Sequence, residues 1–79
     1  MTIPNINCHT EGAFVFAMTL ELARHGLSAE AALALAQKTF AEYMESLGLP
    51  FGHPTVDWSP DAAAEVARFM EIDHWERIA

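Results

Sequence analysis

A chain of 79 residues is long enough for one domain and too short for two. Four Lys and Arg against eleven Asp and Glu leave a net charge of −7, which excludes binding driven by neutralising nucleic-acid phosphates and argues against an anionic membrane surface. Hydrophobic residues make up 52% of the chain and charged ones only 19%, a balance that excludes intrinsic disorder.

Residues 1–7 carry Pro4 and two Asn and read as extended or irregular. A first helix is expected over about 10–25. Thr10 can cap it with its hydroxyl, and Glu11 suits the positive helix end. Gly26 stands where a left-handed residue closes a helix, with Leu27 folding back onto Leu22. Ala13 to Met18 is apolar all round, which predicts burial all round. Further along, Phe16, Leu20 and Ala23 are expected inward and Glu21, Arg24 and His25 outward.

Ser28 starts a second helix over 29–47, and Gly48-Leu49-Pro50 ends it, with Leu49 folding back onto Met44. Leu33, Ala36, Phe40, Met44 and Leu47 recur at helical spacing and predict its buried stripe, with Tyr43 at the edge. Lys38 and Glu42 form an outward pair. The segment from Pro50 to Trp58 reads as a loop whose Phe51, Val56 and Trp58 pack down. Ser59, Pro60 and Asp61 then give a strong helix start. The third helix runs over 60–72 or further, with Ala62, Val66, Phe69 and Ile72 or Asp73 inward. The helix is expected to fray or bend after Met70, with Trp75 and Ile78 packing from a last turn. The fold class is therefore all-α, a compact bundle of three main helices forming a single domain over 1–79.

A small domain buries only roughly 60% of the surface its unfolded chain exposes. Either some apolar surface stays exposed or a second copy covers it, which leaves monomer and homodimer open. Cys8 is the one cysteine, so no internal disulfide forms and Cys-pair zinc spacings are absent. No basic start followed by an apolar run marks a signal peptide. The expectation is a soluble protein of a reducing compartment, the cytoplasm of a bacterial host cell.

Chemistry has three candidate sources. Cys8 beside His9, near a helix start, could be an activated thiol, although neighbouring residues point in different directions. His9, His25, His53 and His74, with Cys8, Asp57 and Asp73, could ligate a metal, but no two His stand four apart on one helix. Glu42 with Glu45, Asp61 with Glu65, and Asp73 with Glu76 each share a helix face. Acid–base work would need a pocket that separates their pKa values. The expectation is a non-enzymatic protein with no catalytic residue, no metal and no cofactor.

Six of the eleven acids fall in the C-terminal third: Asp57, Asp61, Glu65, Glu71, Asp73 and Glu76, with Arg68 alone among them up to Glu76. They are the candidate docking residues for a basic protein partner, with Trp75 as an apolar anchor. The rival surface is Phe14, Val15 and Met18, the face of an adaptor whose contact is apolar. A small metal-binding module is a further rival.

The combined profile of small size, acidity, helicity and no active site resembles that of anti-CRISPR proteins, inhibitors encoded by phages and mobile elements. The resemblance covers overall size, charge and composition, and no motif carries it, so no residue is transferred. It implies that carboxylates stand where a CRISPR effector complex receives nucleic-acid phosphates, blocking target DNA. Duplex DNA carries one charge per about 1.7 Å, so seven charges match about 12 Å of it. One copy could block a short contact, and a dimer would double the footprint.

Overall fold

The computed structural model describes residues 8–72, and within them every regular element is helical. Helix α1 spans Glu11–Arg24, α2 spans Ala29–Leu47, α3 spans Pro60–Ala67, and a π-helical turn over Arg68–Ile72 continues directly from α3. The protein is an all-α three-helix bundle.

Each helix starts on the hydroxyl the sequence offers. Thr10 Oγ1 accepts from the Ala13 amide at 3.1 Å, Ser28 Oγ from Ala31 at 3.2 Å and Ser59 Oγ from Ala62 at 3.1 Å. These bonds satisfy amides that have no partner within the helix. Gly26 and Gly48 close α1 and α2 with φ of 105° and 66°, backbone that a side chain disfavours. Leu27 packs against the core.

Helix α1 is the central element: α2 and α3 both pack against it and touch each other little. It presents Phe14, Met18 and Leu22, four residues apart and fully buried. The facing surfaces are small. Ala32 and Ala36 of α2, and Ala63 and Ala67 of α3, are also fully buried. Alanine at that spacing lets α1 approach closely and seat its large side chains between the helices. Phe14 is the hub of the aromatic cluster, with Phe40, Tyr43, Phe51 and Trp58 centred 5.8, 6.3, 6.1 and 5.4 Å away. The loop between α2 and α3 supplies two of those rings. Trp58 donates its indole N–H to the His53 carbonyl at 3.0 Å, and its own carbonyl accepts from the Cys8 amide at 2.8 Å.

Three expected faces are corrected. On α1, Phe16 and Leu20 are exposed while Glu21 is buried, against expectation, whereas Ala23 packs against the core and Arg24 and His25 are exposed as expected. Ala13 to Met18 is apolar all round without being buried all round. On α2, Leu33 is exposed and the buried line begins at Ala32, Ala36 and Thr39. Phe40, Met44 and Leu47 remain half-buried beside it. On α3, Ile72 is buried and Val66 packs against the core as expected, Ala63 and Ala67 join them, and Phe69 is outward. The expected bend comes earlier, at Arg68, as a π turn. Widening the turn by one residue sets Ile72 five positions after Ala67 on the same buried face. Trp75 and Ile78 lie outside the described residues.

Candidate binding surface

The π turn organises the surface between α2 and α3. Because those helices diverge, an open groove of about 770 Å³ lies between them. Tyr43 and Ser46 of α2 line one side, and Ala62, Glu65 and Val66 of α3 the other. Arg68, Phe69 and Met70 of the π turn and Asp57 of the loop complete the lining. Phe69 is 76% exposed, the most exposed of the large hydrophobic side chains described.

The candidate acids separate into three groups. Asp57, Asp61 and Glu65 are exposed, and among the described residues none of them forms an ion pair. Asp57 also accepts from the Ser59 amide at 2.9 Å, holding the turn ahead of α3. Glu71 is half-buried, and its carboxylate accepts from the Thr39 hydroxyl at 2.9 Å; it is a packing residue more than a docking one. Asp73, Trp75 and Glu76 lie outside the described residues.

Arg68, the cation among these acids, pairs with none of them among the described residues. Its Nη2 lies 3.3 Å from Glu21 Oε1 on α1. Arg24 Nη1 is 3.4 Å from Glu21 Oε2, and His25 Nε2 is 3.7 Å from Oε1. Glu21, 4% exposed, thereby draws two of the chain's four Lys and Arg onto one buried carboxylate. Arg68 is thereby held to Glu21, while Asp57, Asp61 and Glu65 form no ion pair among the described residues. No sequence signal marks Glu21, because a glutamate one turn before Arg24 and His25 reads as part of a solvent-facing polar side.

The rival apolar surface is overturned. Phe14 and Met18 are completely buried, and Val15 is half-buried, so these residues form the core. A different apolar face stands outside it: Phe16, Leu20 and Leu33 are 60%, 52% and 44% exposed. Phe16 and Leu33 share a second, smaller groove across α1 and α2 with Val15, Gln37 and Phe40.

Thr10 caps α1 as expected, and burial pushes the Cys8 thiol up from 9.0, the opposite of activation. His9 is exposed, His25 faces Glu21, and His53 Nδ1 accepts from the Thr55 amide within its own loop at 3.3 Å. Among the described residues no three His, Cys, Asp or Glu side chains converge as a metal site requires; His74 lies outside them. Glu42 and Glu45 are exposed on α2. No helix among the described residues is long and apolar enough to cross a membrane.

Set against known proteins, the chain matches no family model, no curated protein and no solved structure.

Proposed function

We propose that this chain acts by binding rather than by catalysis, docking on a basic surface of a nucleic-acid-handling protein complex and inhibiting it. An anti-CRISPR role, blocking target DNA binding by a CRISPR effector in a bacterial cytoplasm, is the first form to test. One observation supports this most: Asp57 in the loop before α3, and Asp61 and Glu65 on α3, stand exposed while the nearby cation, Arg68, is engaged by Glu21. That edge can steer a basic partner, with association weakened by salt. Direct binding to nucleic acid is disfavoured by the net charge of −7.

The test is target-DNA binding by purified CRISPR effector complexes, with and without the protein. The expected result is lost DNA binding at low salt, restored when Asp61→Lys and Glu65→Lys are combined. Both positions are exposed, so circular dichroism should show the helices intact. Inhibition unchanged by the double substitution would remove the acidic edge from the mechanism. No inhibition across the complexes would remove the CRISPR target.

A second reading is an adaptor whose contact is apolar, favoured by the exposed face of Phe16, Leu20 and Leu33. That face is also where a homodimer would form. Binding retained at high salt and lost on Phe16→Ser would select it.

A further inference from the structure

We infer that the groove between α2 and the π turn is a docking site for a partner segment presenting an arginine beside a large apolar side chain. This rests on the acidic-edge reading and names the chemistry that reading requires.

The groove has two unlike components. Val66 and Met70 are half-buried in its lining, and Phe69 projects into water at its edge. Asp57 and Glu65 contribute exposed carboxylates to the same lining. A purely apolar ligand would strip water from those carboxylates without replacing it, which is costly. A purely cationic ligand would leave the Phe69 ring in water. A segment with both features satisfies both parts. Arginine fits better than lysine, because its planar guanidinium stacks on an aromatic face while pairing with a carboxylate through two N–H groups. Arg68 also lines the groove and stays half-exposed, but its Nη2 lies 3.3 Å from Glu21, so among the described residues it is not paired with Asp57 or Glu65.

The exposure of Phe69 is a consequence of the backbone. The π turn carries Ile72 into the core five residues after Ala67, and the same turn leaves Phe69 pointing out. A large aromatic side chain held outward on a packed helical segment suits an anchor for a partner.

The experiment uses the full chain and three synthetic peptides of equal length. One alternates arginine and leucine, one has lysine for each arginine, and one has serine for each leucine. Affinities are read by fluorescence anisotropy, and the contact is mapped by amide NMR shifts. The arginine–leucine peptide should bind most tightly, with shifts confined to Tyr43, Val66, Phe69, Met70 and their neighbours. Phe69→Ser should weaken it about tenfold, the scale of a hot-spot loss, and weaken the arginine–serine peptide less, because that peptide loses the guanidinium stacking but no leucine contact. Phe69 is exposed, so its loss leaves the fold intact by circular dichroism. Equal affinity for the lysine peptide overturns the assignment of arginine. If Phe69→Ser changes nothing while Asp61→Lys with Glu65→Lys abolishes binding, the groove falls and the acidic edge survives. If neither variant matters, both readings fall.

Discussion

The buried hydroxyl of Thr39 on α2 donates to the Glu71 carboxylate in the π turn, 2.9 Å away. This bond ties the C-terminal end of the third helical segment to the middle of the second, where α2 and α3 otherwise touch little. Thr39→Val keeps the shape and removes the donor. Hydrogen bonds to charged groups are worth about 1.5–3 kcal/mol, and Glu71 keeps some access to water. A loss of about 1–2 kcal/mol is expected in urea unfolding. A loss near zero would mean that water replaces the hydroxyl at no cost. Reversing Glu71 to lysine would disturb this bond, so charge reversal at Glu71 is a poor probe of docking, and Asp61 and Glu65 are the cleaner positions.

Phe14 is expected to be the most costly aromatic residue to truncate. It is fully buried, and four other rings surround it. Phe14→Ala should cost about 3–5 kcal/mol, the usual range for a buried phenylalanine. Phe40 is only half-buried, so Phe40→Ala should cost clearly less. Equal costs for the two, measured by chemical denaturation, would contradict the central position of Phe14.

Helix positions and ends are legible in the sequence because each rests on local chemistry. Thr10, Ser28 and Ser59 each cap the helix that begins at the next residue, and Gly26 and Gly48 carry the positive φ that ends a helix. The faces are less legible. The larger side chains Phe16, Leu33 and Phe69 read as buried, yet the helices close on Ala32, Ala36, Ala63 and Ala67. An alanine contributes little transfer energy itself, but it sets how near two helices come, and that gain depends on the partner helix. The π turn is legible only as the bend expected after Met70, and it begins at Arg68. The acidic edge can be read from composition, whereas the diversion of Arg68 to Glu21, 47 residues away, depends on tertiary structure.

Glu21 predicts unequal roles for its two arginines. Arg24 is on the same helix and largely exposed, whereas Arg68 joins two elements and is half-exposed. An exposed local pair contributes about 0.3–0.5 kcal/mol. Arg24→Ala should therefore cost less than about 0.5 kcal/mol. Arg68→Ala leaves a buried carboxylate with one fewer partner and should cost about 1–2 kcal/mol, below the range for fully buried pairs because water reaches the guanidinium. The difference should appear as separate midpoints in urea. Arg68→Ala should also leave the acidic edge in place, so partner binding at low salt should persist in folded protein.

The Cys8 thiol should react slowly. Burial raises it above its ordinary 9.0, so less thiolate is present at neutral pH than for a free cysteine. Reaction with a disulfide reagent at pH 7 should be slower than that of a small-molecule thiol and should approach it in urea. A faster rate in the folded protein would restore Cys8 as a candidate nucleophile.

Tyr43 gives a titration that reports the groove itself. It is the one tyrosine in the chain, so the ultraviolet phenolate signal belongs to it alone. Burial raises its pKa above 10.0, and the carboxylate of Asp57 adds to that rise. The neutral phenol is therefore favoured in the folded state. Below pH 10 both folded and unfolded chains hold the proton, and the shift is without effect on stability. Above pH 10 the unfolded chain releases its proton first, so stability falls as pH rises towards the folded pKa. Tyr43→Phe should flatten that decline. Asp57→Asn should lower the folded midpoint without abolishing the shift, since burial is the larger cause. A midpoint unchanged by Asp57→Asn would mean that the carboxylate does not face the phenol, and Asp57 and Tyr43 would not then share a binding groove.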